Sequence, residues 1–162
     1  MKKPEVAIVM GSITDLETMQ ASIEILKNFS VPFVAKVLSA HRTPKELEAF
    51  VVAMEEIGVR AFIAGAGGAA ALAGVIASHT TVPVLGVPIE TKSLKGLDSL
   101  LSTVQMPAGI PVATFAIGKA GAKNAALFAL SLLALDSKTL SQKLSSFRAK
   151  QADAVKKVKV KV

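Results

Sequence analysis

Short, continuously apolar runs alternate along the chain with longer segments in which apolar residues recur every three or four positions. Continuous apolar runs of this kind are typical of strands buried inside a parallel sheet. We therefore predict five strands, at Val6–Met10, Phe33–Leu38, Ala61–Ala64, Val82–Val87 and Val112–Ile117. The first two are predicted to be buried on both faces.

Helices are predicted between these strands. Thr14 or Asp15 is expected to cap the first one, and Thr43 followed by Pro44 is a typical helix start, with threonine as N-cap and proline at the first helical position. Gly58 is the expected stop of the second helix. The alternation of strands and helices indicates an α/β protein whose parallel sheet has helices on both faces. The predicted helices run to about Asn28, from Pro44 to about Glu56, from a glycine turn to about Ser78, and over Leu94–Thr103, Ala120–Leu135 and Ser137–Lys156.

The net charge of +7 is concentrated at one end of the chain. Residues 137–162 hold eight of the 19 basic residues and one of the 12 acidic residues, so the preceding part is neutral. A basic tail can contact nucleic acid. We interpret this one as a solvated helix face followed by a frayed end, in which Val158–Val162 alternates like a strand but is too short to form one.

Length and composition narrow the class of protein further. A chain of 162 residues suits one domain, and the absence of cysteine excludes disulfides and thiolate chemistry, which fits a reducing cytosol. Val6–Met10 is too short for a signal peptide. The stretch from Ala61 to Ile89 has no charged residue and exceeds the roughly 20 residues that cross a bilayer. Because glycine and alanine dominate it and Thr80–Pro83 breaks it, we expect a strand, a glycine turn and a buried helix there.

Three turns are expected to meet at the carboxyl edge of the sheet, where open α/β sheets bind ligands: Gly11–Asp15, Ser39–Thr43 and Gly65–Gly68. The first turn offers hydroxyls and amide N–H groups that can cradle a phosphate. In the second turn, His41 can move a proton near neutral pH, and Arg42 favours an anion. The edge therefore predicts an anion site with a titratable group.

Each of these turns also has a purely structural interpretation. Asp15 can cap a helix instead of binding ribose hydroxyls, and His41 and Arg42 can pair with carboxylates. The glycines can serve tight helix–strand packing. Residues 65–70 also satisfy G-x-G-x-x-G/A, with Glu90 after the next strand in the place of a ribose-binding acid, so a dinucleotide enzyme is a further alternative.

Six motifs in this order resemble the bacterial class I 5-(carboxyamino)imidazole ribonucleotide mutase family of purine biosynthesis. They are MGSITD at residues 10–15, SAHRTP at 39–44, AGAGGAA at 64–70, GLDSL at 96–100, VQMP at 104–107 and AIGKA at 116–120. The resemblance implies a flavodoxin-like three-layer α/β/α sandwich with a parallel five-stranded sheet plus a C-terminal helix. It also implies a single mutase domain over residues 1–162, with a core at about 5–135 and a C-terminal helix and basic tail at about 136–162.

The resemblance further implies a cytoplasmic homo-octamer with active sites at subunit junctions. It implies no metal and no cofactor, no nucleic-acid or membrane partner, and a functional link to the ATP-dependent carboxyaminoimidazole ribonucleotide synthetase. The reaction would move a carboxyl group from the exocyclic nitrogen to ring carbon C4.

Residue roles follow from the same resemblance. His41 matches the acid/base histidine, and Asp15 matches the residue on the ribose. The other matched positions bind the substrate: its phosphate at Ser12, Thr14, Ser39 and Arg42, its migrating carboxyl group at Gly65, Ala66, Gly67 and Gly68, and further contacts at Gly11 and Leu72.

The chain departs from the family pattern at two places. Thr14-Asp15-Leu16 stands where the family has Ser-Asp-Trp, which keeps the hydroxyl. Ala71 and Ala73 stand where the family has histidine and proline. Two further interpretations therefore stay open: direct carboxylation of aminoimidazole ribonucleotide, and a weakened or inactive nucleotide-binding homologue.

Overall fold

The computed structural model describes residues 3–160, so the last two residues of the alternating Val158–Val162 stretch lie outside it. Five parallel strands form one sheet in the order β2-β1-β3-β4-β5. Their bounds are β1 Val6–Met10, β2 Phe33–Val37, β3 Ala61–Ala66, β4 Val84–Pro88 and β5 Ala113–Thr114. The sequence expectation of a parallel five-stranded sheet is confirmed.

Helices cover both faces of this sheet. The helices of the described residues are α1 Leu16–Phe29, α2 Pro44–Glu56, α3 Leu72–Ser78, α4 Leu97–Val104, α5 Lys119–Ala134 and, in a separate unit, α6 Lys138–Lys156. Ala7, Val9 and Phe62 point to the face on which α2 and α3 pack. On the opposite face the buried hydroxyl of Ser22 in α1 donates to the Ala122 carbonyl of α5 at 2.7 Å. The α/β/α layering follows from this division.

The chain divides into two compact units, Met1–Ala129 and Leu130–Val162. The first contains the sheet and α1–α4. In the second, the Ser137 side chain accepts the Leu140 N–H at 3.3 Å and so caps α6. Within residues 3–160, no helix combines the length and apolar character needed to cross a bilayer.

β2 is more exposed than its apolar sequence suggests. The prediction of a strand buried on both faces is wrong here, since Phe33 and Val34 are half-buried and Ala35–Val37 are largely exposed. The physical reason is its position: β2 pairs only with β1, with Val6 opposite Phe33, and forms one edge of the sheet. Edge and central strands differ by their neighbours, which the residue pattern does not specify.

The starts of two helices differ from prediction because the backbone before them is left-handed. α3 begins at Leu72 and not at the glycine turn, since Gly68 and Ala70 have φ values of +68° and +26°. α4 begins after Gly96, whose φ is +88°. These conformations do not fit a right-handed helix, and Gly68 and Gly96 adopt them without strain.

Two expected helix caps are also replaced by other contacts. Ser12, and not Thr14 or Asp15, caps a 3₁₀ turn over Ile13–Asp15 that leads into α1. Thr43 makes no side-chain cap to α2, because its hydroxyl accepts the Ser39 N–H at 2.8 Å and donates to the Ser39 carbonyl at 3.1 Å. Both hydroxyls close their own turns at the edge of the sheet.

Candidate functional site

A cleft of about 560 Å³ lies at the carboxyl edge of the sheet. It is formed by the turns that follow β1, β2, β3 and β4, which are neighbouring strands. This is where the ligand-binding rule for open α/β sheets places a site. The lining residues are Gly11, Ser12, Thr14, Asp15, Ser39, Ala40, His41, Arg42, Ala66, Gly67, Ala70, Ala71, Leu72, Ile89, Glu90 and Thr91.

The turn after β1 is closed by reciprocal hydrogen bonds. Ser12 Oγ accepts the Thr14 N–H at 3.3 Å and the Thr14 hydroxyl at 2.9 Å, while the Asp15 carboxylate accepts the Ser12 N–H at 3.0 Å. Gly11 N–H donates to the Gly65 carbonyl at 3.0 Å, which joins this turn to β3. Two hydroxyls and one carboxylate are thereby held at the same end of the cleft.

The turn after β2 brings His41 and Arg42 into the cleft beside the turn after β1. Arg42 donates from Nη2 to the Gly11 carbonyl at 3.1 Å, and its backbone N–H donates to Ser39 Oγ at 3.2 Å. The guanidinium thus spans from its own turn to the turn after β1. His41 is exposed and lines the cleft, so its imidazole is accessible to a bound molecule.

The glycine turn after β3 divides into residues that line the cleft and residues that do not. Ala66, Gly67 and Leu72 line it, as the resemblance implies. Within the described chain, Gly65 and Gly68 are not among the lining residues. A Cβ on Gly65 would collide with the side chain of Met19, including its Cγ at 2.8 Å, so this glycine admits α1 against β3.

The turn after β4 contributes residues that the sequence prediction missed. Ile89, Glu90 and Thr91 line the cleft, whereas the sequence pattern indicates only Glu90, and only for the dinucleotide alternative. The Thr91 hydroxyl donates to the Asp98 carboxylate, whose two oxygens lie 2.8 Å and 3.0 Å from it. It also accepts the Gly96 N–H at 3.3 Å. The signal was available: these residues directly follow a predicted strand at the same edge.

Burial sets the electrostatics of Asp15. The residue is 7% exposed, and this desolvation raises the pKa of its carboxyl above the ordinary value of 3.8. Hydrogen bonds from the Ser12 and Gly11 backbone and the charge of Arg42 act in the opposite direction without cancelling the rise. A buried acceptor of this kind is suited to hydrogen-bond hydroxyl groups of a ligand.

The donor set of the cleft fits an anion better than a cation. Hydroxyls, backbone N–H groups and one guanidinium converge on one side of it, and phosphate is the anion that such groups bind most readily. Among residues 3–160, no group of three histidine, cysteine, aspartate or glutamate side chains is arranged to hold a metal ion. An imidazole beside an anion-binding end can transfer a proton to the remainder of a phosphorylated ligand.

Known proteins share much of this sequence. The chain is 56% identical over 150 residues to the N5-carboxyaminoimidazole ribonucleotide mutase of Escherichia coli K12, covering 93% of this chain and 89% of that protein. It is 51% identical over 146 residues to the enzyme of the same name from Bacillus subtilis 168, covering 90% of each.

A solved structure shares the fold of this chain. The crystal structure of Treponema denticola PurE superposes with a TM-score of 0.85 at 26% identity and covers 94% of each chain. The family model described as AIR carboxylase matches residues 5–154, nearly the whole sequence. On these grounds the chain belongs to the AIR carboxylase family.

Proposed function

We propose that this protein is an isomerase of purine biosynthesis that converts 5-(carboxyamino)imidazole ribonucleotide into 4-carboxy-5-aminoimidazole ribonucleotide. The observation that carries the proposal is the convergence of His41, Arg42 and the hydroxyls of Ser12, Thr14 and Ser39 on one cleft. Relatives that are 51–56% identical over nine-tenths of the chain bear the name of this mutase, which supports the same reaction here.

The ribonucleotide is oriented by its phosphate and ribose in this proposal. Arg42 already lies across the first two turns through its bonds to Gly11 and Ser39. A phosphate placed beside it receives a charge-assisted hydrogen bond, and the hydroxyls of Ser12 and Thr14 add neutral ones. Asp15 accepts hydrogen bonds from ribose hydroxyls, which replace water at a carboxylate that is already largely desolvated.

His41 supplies and recovers one proton. The bond between the carboxyl carbon and the exocyclic nitrogen breaks, its electron pair stays on nitrogen, and the protonated imidazole donates a proton to that nitrogen. Carbon dioxide is released inside the cleft. Ring carbon C4 then donates an electron pair to carbon dioxide, and the neutral imidazole removes the C4 proton. Atoms and charge balance, so the reaction consumes no cofactor, and general acid–base catalysis of this kind contributes about 10²- to 10⁴-fold.

The glycine turn encloses the migrating carboxyl group. Gly67 lines the cleft, and a Cβ there would meet Ile89 and Thr91 at 3.6 Å, so the backbone runs close to the turn after β4. A narrow enclosure keeps carbon dioxide from escaping before C4 attacks it. Gly65 and Gly68 act indirectly in this proposal, through helix packing and loop conformation.

We further propose that the protein works in the cytoplasm as a homo-octamer and receives its substrate from the ATP-dependent carboxyaminoimidazole ribonucleotide synthetase. Leu97, Leu101 and Val104 on one side of α4 are each about half exposed, at 50%, 49% and 49%. An apolar stripe of this kind is suited to contact another subunit. The proposal assigns no nucleic-acid or membrane partner.

One assay tests the function against its alternatives. Purified protein is incubated with the carboxyamino ribonucleotide in one arm, and with aminoimidazole ribonucleotide plus bicarbonate in the other, and the 4-carboxy product is measured. We expect product in the first arm at a rate well above the uncatalysed one, and little in the second. Product in the second arm alone would indicate a direct carboxylase, and binding without turnover in either arm would indicate an inactive homologue.

A further inference from the structure

A fully buried hydroxyl joins two walls of the cleft without lining it. Ser99 of α4 has no exposed surface. Its Oγ donates to the carbonyl of Ile89 at 2.7 Å and accepts the N–H of Gly68 at 2.9 Å. One oxygen atom therefore connects the turn after β3 to the turn after β4.

One partner of Ser99 lines the cleft and the other adjoins a lining residue. Ile89 lines it, and Gly68 follows Gly67, which lines it. Gly68 has φ at +68°, and nothing lies within 4 Å of the position that a Cβ would occupy, so side-chain packing does not hold it there. Besides the Ser99 bond, Ser102 Oγ approaches the Gly68 carbonyl at the longer distance of 3.4 Å.

The Ile89 N–H already bonds to the Ala66 carbonyl at 2.9 Å, where β3 ends. We propose that Ser99 is a positioning residue that holds the next part of the glycine turn, at Gly68, against the turn after β4, and so keeps carbon dioxide in the cleft. This inference rests on the proposed function, since the carbon dioxide is that of the isomerisation. A buried hydrogen bond whose donor and acceptor are both satisfied fixes geometry more tightly than packing against a glycine can.

Loss of this bond has a specific chemical result. Once the carbon–nitrogen bond has broken, nitrogen holds the electron pair and the proton, and the carbon dioxide is not covalently attached. If the glycine turn moves away, this molecule exchanges with dissolved carbon dioxide before C4 forms the new carbon–carbon bond. The product then carries a carboxyl carbon taken from the solution.

The experiment compares Ser99→Ala with Ser22→Ala. Both serines are fully buried, and each donates a 2.7 Å hydrogen bond to a backbone carbonyl, but Ser22 bonds to Ala122, between α1 and α5 and away from the cleft. Unlabelled carboxyamino ribonucleotide is turned over in buffer equilibrated with ¹³C-bicarbonate and carbon dioxide. Mass spectrometry gives the fraction of product that carries label, alongside kcat and the melting temperature.

We expect Ser99→Ala to raise the labelled fraction several-fold and to lower kcat by about 10- to 100-fold, as a displacement of about 1 Å in a reacting site does. Ser22→Ala should lower the melting temperature by a similar number of degrees, with labelling and kcat within about twofold of the parent. Equal labelling in the two variants would overturn the inference. Absence of turnover in the parent would instead overturn the proposed function.

Ser99→Cys guards against a variant that does not fold, because the slightly larger sulfur leaves no cavity and is only a weak donor and acceptor. Increased labelling in a folded Ser99→Cys protein supports the positioning role. Failure of both Ser99 variants to fold would overturn that role and leave Ser99 as a structural residue.

Discussion

The Asp15 carboxylate accepts the backbone N–H of Ser12 at 3.0 Å, and Asp15 is almost completely buried. The same contact closes the turn after β1 and places an acid in the proposed ribose subsite. Desolvation nevertheless prevails over this hydrogen bond, so the pKa of Asp15 is raised. An ionised Asp15 therefore costs folding free energy, and the cost is the basis of a test.

Asp15→Asn should gain stability relative to the parent as pH rises from about 3 to about 7. The raised pKa means that the protonated carboxyl favours the folded state, and this contribution is lost as pH rises through the folded-state pKa. Asparagine keeps an acceptor oxygen for Ser12 but does not ionise. Melting temperatures across this range test the sign, with Asp153→Asn on exposed α6 as control. A parent that gains stability over the variant with rising pH would contradict the raised pKa.

His41→Asn should remove about 10²- to 10⁴-fold of the turnover while leaving the fold and phosphate binding intact. Asparagine preserves polarity and approximate size but cannot titrate. The matched control is His79→Asn, because His79 is the other histidine of the chain and faces Glu48 at 3.9 Å, outside the cleft. Steady-state rates measure the effect. Rates for His41→Asn within about tenfold of the parent would show that His41 is not the acid–base group.

Arg42→Ala should weaken ribonucleotide binding about 10- to 100-fold and change the melting temperature little. Hydrogen bonds to charged groups contribute about 1.5–3 kcal/mol, whereas the folded state loses exposed contacts to Gly11 and Ser39 and the minor effect of the Arg42 charge on Asp15. Calorimetric titration with the 4-carboxy product measures the affinity. Lys45→Ala, an exposed cation in the first turn of α2, is the control. Unchanged affinity in Arg42→Ala would remove the arginine from the phosphate site.

Gly65→Ala should destabilise the protein by about 1–3 kcal/mol, because the new Cβ has to displace the buried side chain of Met19. Gly67→Ala is the comparison, since its Cβ would meet Ile89 and Thr91 at the ordinary distance of 3.6 Å. We expect Gly67→Ala to keep the melting temperature and lower turnover, by narrowing the cleft. Denaturant unfolding of both variants measures the packing role of Gly65, and their rates measure the effect of Gly67 on the cleft. Equal stability of the two would contradict the packing role of Gly65.

Ala71→His should raise turnover, because Ala71 lines the cleft and an imidazole there can hydrogen-bond the migrating carboxyl group. The backbone is compatible, with φ at −70° and ψ at −12° just before α3. Overpacking can cost about 1–3 kcal/mol, so the melting temperature is measured in parallel. Ala49→His, on the exposed surface of α2, controls for adding a histidine. A folded Ala71→His protein with unchanged turnover would mean that the missing imidazole does not limit this enzyme.

The sequence predicted those parts of the fold that local chemistry determines. The bounds of β1 and α2 agree with the structure. An unbroken apolar run marks β1, and Pro44 and Gly58 mark the two ends of α2. The burial of β2 did not follow, since it depends on having one neighbour rather than two. β5 is shorter than predicted and ends at Thr114. The next residue still bonds to β4, since the Phe115 N–H donates to the Gly86 carbonyl at 2.9 Å, but no regular strand pairing of the described residues continues beyond it.

The candidate site was likewise predicted where local sequence determines it and missed where distant residues meet. Three of its four turns were predicted because each follows a strand and carries polar residues, and the rule extends to Ile89–Thr91 once the edge of the sheet is considered as a whole. The GLDSL motif contains Ser99 but did not indicate its role, because the bond to Gly68 joins residues 31 positions apart. No local pattern marks a buried serine as the link between two loops.

The strand order determines when, during folding, this chain acquires its cleft. The site-forming turns follow four strands that pair only in parallel, so each pairing joins segments separated by a helix and closes a long loop. Such long-range pairings form slowly. Pairing of β2 with β1 brings the proposed phosphate and proton groups together, but the turns that would enclose carbon dioxide join them only when β3 and β4 have paired. A half-assembled sheet therefore offers the nucleotide only part of its contacts, and the full stabilisation that ligand binding provides reaches the chain once all four strands have paired.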